Sequence, residues 1–248
     1  MKKLNTIKKF EDFGFIVIKN VLNKYQINKL LDDLENVKKK VILKPNQYFH
    51  KTSDNKFNTI HNIQKFHKKG SIIDLAKNKK IQNICEALIG KKTKVRNIEF
   101  FLKPKKSGMP SPFHQDNYYW NIINAEAVNV WIACSKVSKA NGGICYLKGS
   151  HKLGILKHEI SNMKGSSQMI NRKLMKNLNF EKVFPKVNPG DCLIHHPEVI
   201  HGSYKNNSNF DRVGFVVSYA SIFHKIDKLK LKNYKNNMKK NLNKIYKN

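Results

Sequence analysis

The chain has 248 residues, of which 48 are basic and 17 acidic, so its formal net charge is +31. This length is enough for one domain with a sizeable core, and we expect a single domain over residues 1–248. No stretch approaches the length of a membrane span, and the lysine-rich N-terminus lacks the apolar segment of a secretory signal. We therefore expect a cytoplasmic protein without a membrane span.

The charge by itself suggests a nucleic-acid partner, but its source argues against one. Only three basic residues are arginines, namely Arg96, Arg172 and Arg212, and the lysines are spread along the whole chain with many Asn and Ile residues. All three abundant residue types have AT-rich codons, which favours genome composition as the cause. Because aromatic residues are not interleaved with one concentrated basic patch, nucleic-acid binding is the alternative, not the first prediction.

Helical signals fill the N-terminal third. Residues 10–22 predict a short helix that ends at Gly14, followed by a strand of β-branched residues. Asn23 and Gln26 have the spacing of a helix-capping pair, and apolar residues follow at helical spacing.

A second helical zone runs from residue 71 to 89 and ends at Gly90, which suits a left-handed C-cap. The segment 44–66 between the helices shows no clear period. Residues 1–91 are therefore predicted to form a helical preface.

Strand signals begin at residue 93. Along 93–103 the side chains alternate, with polar Asn97 and Glu99 sharing a face with Phe101. Arg96 is expected on the opposite face, with apolar Ile98 and Phe100.

Further strands are predicted downstream, at 127–134, 142–147, 192–196 and 212–219. We expect a β core over 92–222. The segment 152–181 shows no strand pattern and is predicted to be a long, lid-like insertion. The tail 223–248 reads as a marginal surface helix or a frayed end.

The four cysteines, Cys85, Cys134, Cys145 and Cys192, show no paired C-x-x-C spacing. Three of them lie in apolar runs, where cysteine often behaves as a small buried hydrophobe. They are predicted to be reduced thiols of the core. The sequence indicates no oligomeric state.

A candidate metal site begins with His114 and Asp116, which would point to the same face of an extended strand. His201 lies far downstream, and Arg212 follows it by eleven residues. Two histidines and one carboxylate form the facial triad of non-haem Fe(II) oxygenases. A zinc or structural site built from His195, His196 and His201 is the alternative, and it would make the chain a non-enzymatic, cupin-like metal-binding protein.

The order of five motifs carries a family resemblance. These motifs are His114-Gln-Asp116, an Asn-Gly-Gly strand that closes on Gly149-Ser-His151, then Pro189-Gly-Asp191, His201-Gly-Ser203, and the arginine eleven residues after His201. The set resembles the phytanoyl-CoA dioxygenase family of Fe(II)/2-oxoglutarate oxygenases from about Phe10 to Tyr219. The resemblance implies a mainly β, double-stranded β-helix (a cupin-like jelly roll) with the N-terminal helices packed on one sheet.

The same resemblance assigns roles to residues. His114, Asp116 and His201 would hold Fe(II), leaving positions for 2-oxoglutarate and O2. Arg212, with Ser203 nearby, would bind the far carboxylate of 2-oxoglutarate, since a guanidinium binds a carboxylate bidentately. Trp131 would form the wall beside it. We also expect Arg212 on a strand beside the one that ends near His201.

The implied activity is hydroxylation of an unidentified small organic substrate with release of succinate and CO2, supported in vitro by ascorbate. Related halogenases lack the carboxylate of Asp116, so its presence favours hydroxylation. The candidate substrate residues lie on the strand before the H-x-D motif and directly after it: Asn97, Glu99, Phe101, Tyr118 and Trp120. No feature distinguishes a CoA thioester from a sugar, an amino acid or another metabolite.

Overall fold

The computed structural model describes residues 2–163 and 166–245, so residues 1, 164–165 and 246–248 of the predicted preface, insertion and tail lie outside the described residues. The helices are α1 (Lys2–Phe13), α2 (Lys24–Val41), α3 (Ser71–Ala76), α4 (Lys79–Ile89), α5 (Asp116–Trp120), α6 (Arg172–Asn177) and α7 (Lys228–Ile245). The strands are β1 (Phe15–Ile18), β2 (Phe49–Lys51), β3 (Phe57–Ile60), β4 (Thr93–Lys103), β5 (Ser111–His114), β6 (Ala127–Ala133), β7 (Ile144–Leu147), β8 (His158–Met163), β9 (Ser166–Ile170), β10 (Lys182–Val183), β11 (Cys192–His195), β12 (His201–Ser203) and β13 (Arg212–Ser221).

Two antiparallel sheets form the body of the protein. The larger has seven strands in the order β1-β11-β6-β13-β4-β3-β2, and the smaller has four in the order β10-β7-β12-β5. Phe15, Trp131, Leu193 and Val216 of the large sheet pack together with Tyr146 of the small one, so these side chains mark the inner face of the large sheet. The predicted jelly roll is confirmed.

The other face of the large sheet carries the N-terminal helices. Leu30 of α2 and Ile81 of α4 share one core cluster with Phe100 and Phe215 of the sheet. The predicted capping pair begins α2, where the side chain of Asn23 accepts a hydrogen bond from the backbone of Gln26. The burial of the helical stripes against this outer face stabilises both layers, as predicted.

The helical description of residues 1–91 is incomplete, because this segment supplies three strands of the large sheet, of which the sequence predicts only β1, after Gly14. β1 pairs with β11 at one edge, while β3 pairs with β4 and β2 lies outside β3 at the other edge. β2 and β3 come from the segment 44–66 that shows no period. Both are short, and β3 owes its place to backbone pairing with a distant strand, which local sequence does not encode.

The segment 152–181 also differs from the prediction. β8 and β9 form a hairpin, α6 follows it, and the hairpin packs against β5, the strand that ends at His114. A two-stranded hairpin is marginal by itself, so its stability depends on this packing and gives little local signal. Its action as a lid stays a prediction.

The tail forms α7, in agreement with the predicted surface helix for the described residues. Tyr234 of α7 packs against Tyr118 and Tyr119, with ring centroids 6.0 and 5.8 Å away. All four cysteines are buried and free, as predicted. Within the described residues, none of the helices is long and apolar enough to cross a membrane.

Candidate metal centre

The three predicted metal ligands come from two neighbouring strands of the small sheet and from the helix that follows one of them. β12 pairs with β5 so that His201 lies directly opposite His114. Gln115 is extended, with φ −122° and ψ 127°, and Asp116 is the first residue of α5. The carboxylate therefore reaches the same side as His114, although Asp116 begins a helix and does not lie on the strand.

The side chain of Gln115 fixes this junction. It is fully buried, donates hydrogen bonds to the carbonyls of Gly154 and Glu198, both at 2.7 Å, and accepts one from the amide of Leu156. The predicted insertion and the loop before β12 are thereby tied to the segment between the two ligands.

The ligand atoms converge. Nε2 of His114 lies 3.6 Å and Nε2 of His201 3.7 Å from Oδ1 of Asp116, and the ligand atoms of all three residues lie within 4.8 Å of one another. Two atoms bound to one metal at about 2 Å each are at most about 4 Å apart, and both histidine–aspartate separations satisfy this limit. Within the described ranges, no other group of three or more His, Cys, Asp or Glu side chains has this geometry.

Backbone carbonyls set the tautomer of both histidines. Nδ1 of His114 donates to the carbonyl of Pro112 at 2.8 Å, and Nδ1 of His201 donates to that of Val199 at 3.0 Å. The lone pair of each ring therefore lies on Nε2, the atom that faces Asp116. Burial, with repulsion from His114, lowers the pKa of His201 to about 3, so its ring is neutral and able to bind a metal at ordinary pH.

Asp116 has one oxygen for the metal and one for the protein. Its Oδ2 accepts hydrogen bonds from Nδ2 of Asn129 at 2.8 Å and from Nε2 of His195 at 3.0 Å, while Oδ1 faces the two ligand imidazoles. The hydroxyl of Tyr146 donates to Nδ1 of His195 at 2.9 Å, which leaves the ring proton on Nε2. Burial would raise the pKa of Asp116, but the imidazoles around it, His201 foremost, hold the pKa well below its usual value.

The alternative zinc site is not assembled. His195 binds Asp116, whereas the ring of His196 packs on Phe10 and His151, with centroids 6.1 and 5.1 Å away. Because adjacent strand residues point to opposite faces, His195 and His196 cannot both join His201. That alternative is wrong in its ligand set.

A second feature, a small cavity lined by Arg212, Ser203 and Thr59, lies between the sheets. Arg212 is 2% exposed, and its guanidinium carbon lies 5.3 Å from the ring centroid of Trp131. The indole ring of Trp131 lies against Gly214, where a Cβ would be 2.0 Å from the ring. Trp131 thus packs beside Arg212, and its role as a wall of the 2-oxoglutarate site stays a prediction.

The charge of Arg212 lacks an anionic partner. Its Nε has no hydrogen-bond partner, and no carboxylate of the described residues pairs with its guanidinium. Burial lowers the pKa of Arg212 to about 9, and the charge of Arg212 together with burial lowers the pKa of Lys103. Because an unpaired buried cation is costly, the cavity suits a ligand carboxylate. Oγ1 of Thr59, also buried and unpartnered, lines the same cavity.

The predicted strand position of Arg212 is wrong. β13 lies between β6 and β4 in the large sheet, whereas His201 is on β12 in the small sheet. Arg212 and Ser203 therefore belong to different sheets, and both line the small cavity.

The candidate substrate residues of β4 are distributed over two regions. The side chain of Asn97 accepts a hydrogen bond from Gln64 at 3.0 Å, and Glu99 pairs with Nδ1 of His61 at 2.7 Å. Phe101 packs with the inner core and lines the cavity of Arg212. Phe101 thus lies at the cavity of Arg212, and the roles of Asn97, Glu99 and Phe101 in binding substrate stay predictions.

The aromatic residues of α5 also differ in position. Tyr118 stacks on His158, with ring centroids 3.9 Å apart, while the ring of Tyr119 lies edge-on to His114 at 5.9 Å. Trp120 lies under the guanidinium of Arg96. Of these aromatics Tyr119, which was not among the candidate site residues, touches a metal ligand.

Sequence reasoning missed Asn129 and Thr59, named His195 as a ligand of the alternative zinc site, and placed Arg96 on the apolar face of β4. The alternation of β6 could have indicated Asn129, because it is a polar residue two positions before Trp131 on the inner face. Thr59 lies in a segment without a period. The position of Arg96 depends on a β-bulge, which no local pattern indicates.

A jelly roll with two histidines and one carboxylate between its sheets belongs to the class of Fe(II)/2-oxoglutarate-dependent dioxygenases. Within that class, the model of the phytanoyl-CoA dioxygenase family matches residues 10–214, so the chain belongs to this family. The structure confirms the fold, and the family establishes that the chain is a dioxygenase.

Similar proteins differ in their named activities. A probable phytanoyl-CoA dioxygenase of Caenorhabditis elegans is 26% identical over 86% of this chain and 73% of its own length. A probable alpha-ketoglutarate-dependent hypophosphite dioxygenase of Stutzerimonas stutzeri is 23% identical over 86% and 77%. Peroxisomal phytanoyl-CoA dioxygenase of Homo sapiens is 24% identical over 86% and 67%.

Solved structures share the fold at low identity. EctD from S. alaskensis, crystallised with 2-oxoglutarate and 5-hydroxyectoine, has a TM-score of 0.73 at 16% identity and covers 90% of this chain and 77% of its own. The alpha ketoglutarate dependent epimerase SnoN from nogalamycin biosynthesis has a TM-score of 0.71 at 16% identity, covering 90% and 84%.

Proposed function

We propose that this dioxygenase hydroxylates a small organic substrate, with Fe(II) held by His114, Asp116 and His201 and 2-oxoglutarate held by Arg212. One observation carries the proposal: a buried guanidinium without a carboxylate partner lines a cavity between the large and the small sheet, and the small sheet carries both histidines of the convergent His-Asp-His set. The donor set, two neutral imidazoles and an ionised carboxylate, fits Fe(II).

The protein's own groups prepare this centre. The carbonyls of Pro112 and Val199 keep both Nε2 lone pairs free, and Asn129 and His195 hold the second oxygen of Asp116. When bound, Fe(II) supplies the activation of O2 that couples decarboxylation of 2-oxoglutarate to oxidation of a C–H bond.

Arg212, Ser203 and Trp131 are the proposed co-substrate residues. The guanidinium would offer paired donors to the far carboxylate, Ser203 would add a hydroxyl donor from the lining of the same cavity, and the indole of Trp131 packs beside the guanidinium. Thr59 is a further candidate donor, since its buried hydroxyl is otherwise unpartnered.

Substitution of Arg212 tests the proposal. Arg212→Ala should weaken binding of 2-oxoglutarate by about two to four powers of ten, because breaking a buried charge pair costs about 3–5 kcal/mol. Arg212→Lys keeps the charge and loses the fork, so we expect a loss of about 10- to 100-fold. Arg172→Lys, at an exposed arginine of α6, is the matched control and should bind as the unaltered protein does.

The measurement is a titration of 2-oxoglutarate into the anaerobic Fe(II) protein, followed by the metal-to-ligand charge-transfer absorption. Succinate release with ascorbate then reports turnover. Equal affinities for all four proteins would show that Arg212 is structural. Absence of the absorption from the unaltered protein would overturn the function itself.

The predicted cytoplasmic location belongs with this proposal. Four buried free cysteines support a reducing compartment. Fractionation of the native cells, followed by detection of the chain, tests it.

A further inference from the structure

The inner surface of the barrel carries a second arginine, Arg96, whose position the sequence pattern does not predict. In β4 the register with β13 shifts between Ser218, which pairs with Asn97, and Tyr219, which pairs with Val95. Arg96 is therefore the extra residue of a β-bulge. Val95 takes the place on the helix-covered face that Arg96 would otherwise occupy, and the bulge re-aims the arginine side chain.

Contacts of the guanidinium show where Arg96 points. Its central carbon lies 4.6 Å from the ring centroid of Trp120, the last residue of α5, the helix that begins with Asp116. Burial lowers the pKa of Arg96, while the carboxylates of Glu99 and Asp116 act to raise it. The guanidinium is therefore within electrostatic reach of the metal-binding carboxylate.

Along the strands, Arg96 and Arg212 lie on opposite sides of the row of residues that contains Asn129, the partner of Asp116. Asn97, Ser218 and Asn129 are paired side by side across three strands, and Asn129 binds Asp116. Arg212 is six residues before Ser218 on β13, about 20 Å along the strand. Arg96 is one residue beyond this row in the other direction. The region around Arg96 is thus separate from the cavity proposed for 2-oxoglutarate.

The charge of Arg96 lacks a dedicated partner. Among the described residues no carboxylate lies within ion-pair distance of it, and the two carboxylates that influence it have other partners. Glu99 pairs with His61 at 2.7 Å, and Asp116 is the proposed metal ligand. Arginine is also rare in this chain, three among 48 basic residues, so position 96 has a planar guanidinium in a chain that otherwise uses lysine.

We propose that Arg96, held over Trp120, binds an oxyanion of the substrate, so that this dioxygenase acts on a small acid, carboxylic or phosphoric, and orients it toward the metal. The inference rests on the proposed function, since it names the substrate class of the same centre. The guanidinium carbon lies 4.6 Å from the ring centroid of Trp120, and a guanidinium packed on an aromatic face can still donate from its edge to an anion. Because Arg96 is half-buried, its guanidinium attracts an anion more strongly than it would in open water.

The test uses matched acid and neutral compounds. The probes are N-acetylleucine with N-acetylleucinamide, hexanoate with hexanamide, and glucose 6-phosphate with glucose, each added to the anaerobic Fe(II)/2-oxoglutarate protein while the charge-transfer absorption is followed. We expect a response to at least one acid and a weaker one to its neutral partner. Arg96→Gln should weaken binding of that acid by about 10- to 100-fold, because a charge-assisted hydrogen bond is lost. Binding of the neutral partner should be unchanged.

Two controls separate the possible failures. Arg172→Gln removes the same charge from an exposed position and should leave every affinity unchanged. Affinity for 2-oxoglutarate should also be equal in Arg96→Gln and the unaltered protein. The assignment of Arg96 would be overturned if no acid gave a response, if only neutral compounds did, or if Arg96→Gln bound the acid as tightly as the unaltered protein. A protein that forms no Fe(II)/2-oxoglutarate complex would overturn the proposed function instead.

Discussion

Replacing Asn129 with leucine should weaken Fe(II) binding without touching a metal ligand. The amide of Asn129 donates to Oδ2 of Asp116 at 2.8 Å, and its own oxygen is held by the hydroxyl of Ser218 at 3.5 Å. Leucine has a similar volume and no donor, so the carboxylate loses one of the two hydrogen bonds that hold Oδ1 toward the metal.

The magnitude follows from the charge of the acceptor. A hydrogen bond to a charged group contributes about 1.5–3 kcal/mol, which corresponds to a roughly 10- to 100-fold weaker affinity for Fe(II). His195→Phe removes the other donor, 3.0 Å from the same oxygen, and should have an effect of similar size. The double variant should lose more than either single one, because Oδ2 is then unpaired in a buried site.

Anaerobic titration of Fe(II) against a competing chelating indicator measures these affinities. Asn97→Leu is the matched control, since Asn97 lies in the same row of the inner face but binds Gln64 and not Asp116. Its affinity for Fe(II) should be unchanged. Fe(II) binding by Asn129→Leu as tight as that of the unaltered protein would refute the role of this hydrogen bond.

Two further predictions concern stability. Nε2 of His158 and Nδ1 of His196 each accept a hydrogen bond from a backbone amide at 3.2 Å, and burial lowers their pKa values to about 4 and about 3. An unfolded histidine takes up a proton below about pH 6.5, so each buried ring removes about 2 kcal/mol of stability at pH 5 relative to pH 8. Urea unfolding at pH 5 and pH 8 should show this loss of stability, and the loss should be smaller in His158→Gln. An equal loss in the variant would contradict the role of the buried His158 ring. Gly214→Ala would place a Cβ 2.0 Å from the ring of Trp131, and such overpacking costs about 1–3 kcal/mol. We expect a lower urea midpoint together with weaker binding of 2-oxoglutarate, and an unchanged midpoint would show that the indole moves freely.

The chain's local patterns determined most of its elements. The cap at Asn23 begins α2, Gly90 is in the left-handed conformation at the end of α4, and β4 has the predicted bounds, 93–103. These features depend on residues close together in sequence, so hydrophobic period and capping chemistry are sufficient to predict them. The ordered motifs likewise indicated the His-Asp-His set, because ligand types and their order are properties of the sequence.

Tertiary structure decided which groups support that set. Asn129 and His195 meet Asp116 only through the register of β6 and β11, strands separated by about sixty residues. Arg96 turns inward because one extra residue in β4 is accommodated opposite β13, and β3 joins the sheet by pairing with β4. Register between distant strands is set by packing and backbone pairing over the whole sheet, so a local pattern can predict a strand but not its partner or the side chains that it brings together.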